Sequence, residues 1–443
     1  MKTLLLAGLA CSVAIPALAQ SSSKVTYVQA GRLLDRPGQA PRGASTLILR
    51  DGKVAEVRDG FVAPEAGAAL VDLRDKFVLP GLIDLHVHLF SEGDPVKERM
   101  NALTEDEADE FVIGIEDARR DLEAGFTTVR DLGSNPRAIR ALRDAVERGA
   151  IAGPRIVNAG RMISVSGGHG DGTNGLAEEF AEAVAHRQIN TCDGADDCRR
   201  AVRQQIGLGA QVIKFAATGG VLSNVAGGLG KQMSDEEMKA IVDTAHAFGR
   251  RVAVHAHSAE GVRGAVEAGA DSIEHGSFLD DATIAAMKAH GTWLVPTMIA
   301  PVTALVNARA GKLPPATIPK AEAAAAAAAA SHAKAIKAGV KVAFGTDTGV
   351  SRHGENAKEF ALLVRAGLTP AGAIRAATLD AADALGRKDQ LGSLEPGKAA
   401  DLIAVAGDPL QDVTVLEHVD TVVRSGVVHK LGGKRQVFPQ DGG

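Results

Sequence analysis

Short apolar runs alternate with longer helical stretches through the middle of this chain. The apolar runs are residues 82–89, 127–132, 155–159, 212–216, 252–257, 272–275, 292–296 and 342–347. Helical patterns separate them, and the alanine-rich stretch 321–338 has an especially high helix propensity. Alternation of strands and helices is typical of parallel βαβ units. Eight such units over roughly 310 residues predict an α/β fold, a (β/α)8 TIM barrel spanning residues 81–390.

The two ends of the chain show a different pattern, with short β-rich runs separated by turn signals. Residues 25–28, 45–50 and 53–57 form one group, and the Asp51-Gly52 pair between two of them favours a hairpin. A similar pattern returns at residues 401–405, 413–415 and 421–428. We therefore predict a small β-sandwich domain built from both chain ends, residues 24–80 and 391–438.

Residues 1–19 have the parts of a secretory signal peptide: a positive start, an apolar stretch and a small-residue cleavage site at 17–19. A short membrane anchor is the alternative. No later run of about 18 apolar residues predicts a membrane span. The chain is thus predicted to be secreted or periplasmic, where Cys192 and Cys198 would form a local disulfide. Two free thiols or a metal-binding pair remain the alternatives.

Composition excludes some partners. Hydrophobic residues make up 45% of the 443 residues but aromatic residues only 3%, so the core must be aliphatic. A formal net charge of −5 provides no basic surface, and few aromatic rings are available for stacking on bases. We expect no nucleic-acid partner.

Metal-ligand residue types cluster at the ends of the predicted strands, where barrel enzymes carry their active sites. Five of the eight strands deliver them, as His86 and His88, Lys214, His255 and His257, His275, and Asp347. Side chains two apart on a strand share one face, so each histidine pair can point into one site. Any single histidine can equally be a core residue whose nitrogens are hydrogen-bonded. Ligand types at the ends of five strands, however, predict a metal centre.

The loops that follow these strands hold the candidates for substrate binding. Glycine-rich residues 166–171 and 217–223 contain His169 and Val221, although a flexible loop is the simpler interpretation of such glycines. Ser91 follows the first strand, and Arg352 and His353 follow the last. Arg352 has the planar fork of donors that suits a substrate carboxylate, but an exposed arginine is more often a solvated charge.

The strand-end motifs resemble those of the amidohydrolase superfamily of metal-dependent hydrolases. They are Pro80-Gly-Leu-Ile-Asp-Leu-His-Val-His88, Val212-Ile-Lys-Phe215, His255-Ala-His257, Ser272-Ile-Glu-His-Gly276, Gly345-Thr-Asp347, His353-Gly-Glu-Asn356 and Gly397-Lys-Ala-Ala-Asp-Leu402. The resemblance covers nearly the whole mature chain. It is strongest to the secreted, prolidase-like carboxypeptidase branch, which includes amidohydrolases that cleave ochratoxin A.

This resemblance implies two divalent metal ions, usually zinc. The implied ligands are His86, His88 and Asp347 for one ion, His255 and His275 for the other, and a bridging Lys214 carboxylated on its side-chain nitrogen (N6-carboxylysine). Carboxylation would explain a lysine in a buried strand, where a lone ammonium is costly. His257 shares the strand face of His255 and would contact substrate or take its place as ligand.

The implied reaction is hydrolysis of a C-terminal amide bond in a small molecule or dipeptide, such as Xaa-Pro, an N-acyl amino acid or ochratoxin A. The metals would activate water for attack on the carbonyl, and Asp347 would accept its proton. A cyclic amide, imidazolone or lactone is the alternative substrate on the same scaffold. A catalytically inactive binding barrel is a further alternative, but it predicts damaged ligands and all six positions are filled. The resemblance also implies a homo-oligomer.

Overall fold

The computed structural model describes residues 25–437, apart from residues 224, 226, 314 and 316. The predicted signal peptide lies outside the described residues. The strands are β1 (Val25–Leu33), β2 (Ser45–Arg50), β3 (Lys53–Asp59), β4 (Ala69–Pro80), β5 (Leu82–Val87), β6 (Phe126–Asp131), β7 (Arg155–Asn158), β8 (Val212–Ala216), β9 (Arg251–Ser258), β10 (Ser272–Phe278), β11 (Trp293–Val295), β12 (Leu402–Val405), β13 (Val419–Arg424), β14 (Val427–Leu431) and β15 (Lys434–Arg435).

The helices connect and cover these strands. They are α1 (Pro95–Thr104), α2 (Glu107–Glu123), α3 (Pro136–Glu147), α4 (Glu178–Ala185), α5 (Ala195–Gly207), α6 (Asp235–Ala247), α7 (Ala259–Ala268), α8 (Asp281–His290), α9 (Ile299–Arg309), α10 (Thr317–Ala338), α11 (Lys358–Arg365), α12 (Pro370–Ala376) and α13 (Leu379–Ala384). Val413–His418 is a 3-10 helix, not the expected strand, because the Asp412 carboxylate caps it by accepting from the Thr414 amide. None of the described helices is long and apolar enough to cross a membrane.

Both chain ends contribute to a single β-sheet. Its eight strands follow the order β15-β14-β13-β12-β4-β1-β2-β3, so β4 and β12 join the N-terminal and C-terminal halves. Their register pairs Leu402 with Pro80 and Val405 with Phe77. The eight strands are hydrogen-bonded in one continuous order, and their division into the two layers of a sandwich stays a prediction. Aliphatic side chains from both ends, including Leu47 and Leu402, share its core.

The middle of the chain is an α/β unit with parallel strands. One sheet has the order β5-β6-β7 and another the order β11-β10-β9-β8. Single backbone pairings extend the two sheets at their edges. Ile163 pairs with Phe215 of β8, Val342 with Leu294 of β11, and Thr348 with Val87 of β5. Parallel strands joined through helices are the pattern expected from the sequence.

The predicted eighth strand, residues 342–347, is not a regular strand. Its backbone hydrogen bonds alternate between neighbours, with Leu85 N donating to Phe344 O while Phe344 N donates to Ala376 O. The buried Asp84 carboxylate also accepts from the amides of His86 and Thr346. These side-chain bonds replace the regular ladder, so the segment closes against β5 and β11 without forming an extended strand.

Candidate active site

Histidine and aspartate side chains form two groups at one end of the parallel strands. The first group contains His86, His88 and Asp347, and the second contains His255, His257 and His275. In each group, three possible ligand atoms lie within 4.8 Å of one another. The ring centroids of His86 and His275 are 5.1 Å apart, so the two groups face one site.

Hydrogen bonds on the outer ring nitrogens fix the orientation of these imidazoles. Nδ1 of His86 donates to Glu274 Oε2 at 3.0 Å, and Nδ1 of His88 donates to Gly133 O at 3.1 Å. The Nε2 atoms of both rings then point at Asp347 Oδ1, at 3.4 Å and 3.1 Å. This arrangement holds each ring in place and leaves Nε2 as the atom that could bind a metal ion.

The second group is oriented in a similar way. Nδ1 of His275 lies 2.7 Å from Thr297 Oγ1, and Nδ1 of His257 lies 2.8 Å from Ser277 Oγ. Nε2 of His255 instead lies 3.3 Å from the Gly219 carbonyl oxygen. Both His255 and His257 belong to the cluster, so the choice between them as ligand stays open.

Burial keeps most of these rings neutral, which is the form that binds metals. Desolvation lowers the pKa of His86 to about 4 and that of His257 to about 3, and it takes the pKa values of His255 and His275 well below the usual range. Burial also acts against a charged His88, but the Asp347 carboxylate outweighs it and raises the pKa of this ring.

Lys214 lies between the two groups, on β8. Its side chain is 2% exposed, and Nζ is 3.4 Å from Nε2 of His86. Desolvation lowers the pKa of this amine to about 8, despite the carboxylates of Glu274 and Asp347. A substantial fraction of the amine is therefore neutral near pH 8, and a neutral amine is the form that reacts with carbon dioxide.

Asp347 has an unusual backbone conformation, with φ of +61°. Its amide donates to the His86 carbonyl at 2.7 Å, and this bond fixes the turn that aims the carboxylate between the two histidines. Burial by itself raises the pKa of the carboxyl group, but His86 and His88 outweigh it and lower the pKa to about 2. Left-handed backbone at a non-glycine residue is a strained feature that often marks a functional site.

Glu274 and Arg130 form a buried ion pair behind the first histidine group, which sequence reasoning missed. Arg130 Nη2 lies 2.7 Å from Glu274 Oε1, and both side chains are at most 2% exposed. Burial alone raises the pKa of Glu274, yet Arg130 and His86 lower it to about 2. The sequence gives little signal for this pair, because both strands contain other polar residues beside the charged one.

A cavity of about 280 Å³ opens onto these groups. All six residues predicted as metal ligands line this cavity. The predicted substrate residues His169, His257 and Val221 also line it, and the His169 ring centroid is 4.2 Å from that of His255. The rest of the lining is mostly apolar and comes from α9, α10 and loops: Met162, Leu222, Pro296, Ala300, Pro301, Ala304, Ala328 and Val350.

Three other predicted substrate residues lie away from this cavity. His353 is buried behind the site, where Nδ1 lies 2.9 Å from Asp121 Oδ2 and Nε2 lies 3.2 Å from the His88 carbonyl oxygen. Arg352 is exposed and does not line the cavity. Ser91 donates to Glu98 and faces the adjoining clefts. The sequence order placed them near the strand ends, but the intervening turns direct their side chains elsewhere.

The predicted cysteine pair is joined in a disulfide, with Cα atoms 4.9 Å apart. It lies at the start of α5 and is fully buried. The amide of Cys192 donates to the Ser164 carbonyl, which connects the disulfide to the segment leading into the His169 loop.

The site is a histidine-rich centre at the ends of parallel strands, next to an apolar cavity. This arrangement is typical of hydrolases whose sites suit divalent metals. The chain belongs to the amidohydrolase family, whose model matches residues 77–429. The resemblance read from the motifs and the assignment as a hydrolase of amide or peptide bonds are thereby confirmed.

Similar proteins cover nearly the whole chain. An ochratoxinase of Aspergillus niger is 33% identical over 420 residues, which are 90% of this chain and 85% of that protein. A crystal structure of a Xaa-Pro dipeptidase with methionine bound in its active site has 36% identity and a TM-score of 0.85, covering 92% of this chain and 100% of the other. A prolidase complexed with N-methylphosphonate-L-proline has 31% identity and a TM-score of 0.84, covering 93% and 100%.

Proposed function

We propose that this protein is a binuclear metal-dependent amidohydrolase on a (β/α)8 barrel that releases a C-terminal amino acid from a small N-acyl amino acid or dipeptide. The observation that carries the proposal is the pair of ligand groups, His86, His88 and Asp347 opposite His255, His257 and His275, around one cavity. Similarity to a Xaa-Pro dipeptidase, a prolidase and an ochratoxinase supports an amide substrate with a free carboxylate.

The residues present fit two divalent ions. Four imidazoles, a carboxylate and the Lys214 side chain make a nitrogen and oxygen donor set, which zinc accepts. His86, His88 and Asp347 would hold one ion, and His275 with His255 or His257 would hold the other. A carboxylated Lys214 would bridge them, and its carbamate oxygens would remove the cost of burying an ammonium. When bound, such ions polarise a substrate carbonyl and acidify a water molecule.

The chain's own residues supply the proton transfer and the orientation. Asp347 is held ionised between His86 and His88, so it can accept a proton from the attacking water and deliver it to the leaving nitrogen. His169 reaches into the cavity with Nδ1 buried and without a hydrogen-bond partner among the described residues. We assign it to a polar group of the substrate, because an unpaired buried nitrogen is costly until a ligand satisfies it.

The apolar end of the cavity sets the substrate preference. Leu222, Ala304 and Val350 line it, and the only charged side chains along the described lining are Lys214 and Asp347 at the metal-ligand end. A bulky apolar group would bury surface there, whereas a charged side chain would lose its hydration without a partner. We therefore expect substrates with one apolar group beside the scissile amide. Secretion and a homo-oligomeric state stay predictions.

The test is a hydrolysis screen of the zinc-loaded chain. Apolar N-acyl amino acids, Xaa-Pro dipeptides and ochratoxin A would be compared with charged dipeptides, cyclic amides and lactones, each with a chelator control. Chelator-sensitive release of a C-terminal amino acid, fastest for apolar substrates, is expected. Turnover of rings alone would move the function to the cyclic substrates, and equal rates with chelator would contradict metal dependence.

A further inference from the structure

A second cleft, lined by arginines, lies at the opposite end of the strands from the histidine centre. Its volume is about 560 Å³. Arg251 begins β9, whose far end carries His255 and His257, and Val212 begins β8, which leads to Lys214. The cleft is therefore separate from the cavity of the proposed active site, and the proposed function does not use it.

Four arginine residues line this cleft, and none of its described lining residues carries a carboxylate. The polar lining consists of Arg130, Arg250, Arg251, Arg387, Gln211 and Gln390. Two of the arginines already have acidic partners. Arg130 pairs with Glu274 at 2.7 Å, and Arg251 pairs with Asp271 at 2.9 Å.

The other two arginines have no such partner. Within residues 25–437, the described atoms give the Arg387 and Arg250 side chains no hydrogen bond or salt bridge, and Nε of Arg250 is fully buried. Burial and the charge of Arg155 lower the pKa of Arg387. The carboxylate of Glu147 opposes them through its charge, without a hydrogen bond to Arg387. A buried N–H without a partner costs free energy, so this cleft has unused donors on two arginines that have no directly bonded acid.

The backbone holds the arginines in this arrangement. Gly386 has φ of +70°, and a Cβ atom at this position would lie 2.9 Å from Nε of Arg251. The absent side chain lets the Arg251 guanidinium pack close to the turn that presents Arg387. Gln211 adds a side-chain amide whose oxygen has no partner, and rotation of that amide would present two further donors.

We propose that this cleft is a binding site for a small dianionic oxyanion of the phosphate or sulfate type. Two guanidinium groups without a directly bonded acid match two negative charges, and their planar forks match tetrahedral oxyanions bidentately. The cleft is larger than one such ion, so a phosphate monoester of a small organic molecule fits the same chemistry. This inference does not depend on the proposed hydrolytic activity.

Calorimetric titration at constant ionic strength and pH 8 tests the proposal. Inorganic phosphate, sulfate, glycerol 3-phosphate and chloride would be titrated into the metal-loaded wild type and into Arg387→Gln, Arg250→Gln and Arg387→Lys variants. We expect one saturable site for the dianions that persists when the metals are removed, and none for chloride. Affinity should be about tenfold or more weaker in both glutamine variants, with a smaller loss in Arg387→Lys, which keeps the charge but not the fork.

Controls separate this cleft from the histidine centre, which can also attract anions. Binding should persist in Asp347→Asn and in chelator-treated protein, and Arg309→Gln, which removes an exposed arginine elsewhere, should bind like the wild type. Tighter binding of glycerol 3-phosphate than of phosphate would identify an ester as the ligand class, and equal binding would identify the free ion. Loss of binding with the metals, or an unchanged Kd in folded Arg387→Gln and Arg250→Gln, would overturn the proposal.

Discussion

Glu274 and His86 are joined by a 3.0 Å hydrogen bond from imidazole Nδ1 to carboxylate Oε2, with neither side chain more than 1% exposed. The other carboxylate oxygen of Glu274 binds Arg130, so one buried acid fixes a proposed metal ligand and neutralises a buried guanidinium. The ligand orientation thus depends on a charge pair that does not itself line the cavity.

Glu274→Gln should damage both stability and metal binding. The substitution keeps the shape but leaves the Arg130 charge unpaired, and removing one partner of a buried ion pair typically costs about 3–5 kcal/mol. Metal affinity should fall about 10–100-fold, because the single amide oxygen of glutamine cannot accept from both Arg130 and His86. Denaturant unfolding and competitive zinc titration measure the two effects. Glu322→Gln, at an exposed ion pair, is the control and should change stability by less than about 0.5 kcal/mol.

Asp347→Asn should lower kcat by about 10²–10⁴-fold, because the amide cannot accept the proton from the attacking water. Thermal unfolding should show a folded protein, and elemental analysis should establish how much metal it retains. Near-normal kcat in a metal-replete variant would remove Asp347 from the proton-transfer role.

Lys214→Met should reduce metal stoichiometry from two ions toward one and lower kcat about 100-fold or more, since it removes the proposed bridge. Stability of the metal-free protein should not fall, because methionine avoids burying an ammonium. A second measurement tests the carboxylation of Lys214 directly. Wild-type protein is loaded with zinc in buffer free of carbon dioxide, and its activity should rise when bicarbonate is added. The same gain in the methionine variant would speak against a carbamate on Lys214.

Ala304→Phe should raise KM for substrates with a bulky apolar group by about tenfold or more, because the ring would occupy the apolar end of the cavity. Substrates with a small group at the same position should be affected less. Val306→Phe on the same helix is a matched control, since Val306 is 62% exposed and does not line the cavity. Equal effects of the two substitutions would place the substrate elsewhere.

His429 should make stability fall in mild acid. Burial, with Arg424 adding to it, lowers the pKa of this histidine to about 4 from an unfolded value near 6.5. Protonation therefore favours the unfolded chain, so the stabilising contribution is complete above pH 6.5 and is lost as the pH falls toward 4. The free energy of unfolding of metal-free wild type, minus that of His429→Gln, should shrink by about 1–3 kcal/mol across this window. A pH-independent difference would contradict the assignment.

The strand-end histidines were predictable because each lies in a short apolar run, where the period of two puts His86 beside His88 and His255 beside His257 on one face. Glu274 was missed because its role depends on contacts with His86 and Arg130, which lie on other strands and are distant in the sequence. The apolar half of the cavity was beyond sequence reasoning, since Ala304 and Ala328 come from separate helices and resemble ordinary core residues. His353 was predicted to contact substrate, but the chain after residues 342–347 directs its side chain toward Asp121.

Pairing of β4 with β12 has a consequence for how the protein is made. Phe77 and Val405 are neighbours in the sheet but are separated by more than 320 residues of chain. On the ribosome, β4 therefore emerges long before its partner and must wait, with one edge open, until almost the entire polypeptide has been synthesised. Such a late, non-local pairing is slow and leaves a strand edge exposed to other nascent chains. A chain terminated near residue 400 would keep every proposed metal ligand but lack the strand that covers this edge, and we expect it to aggregate.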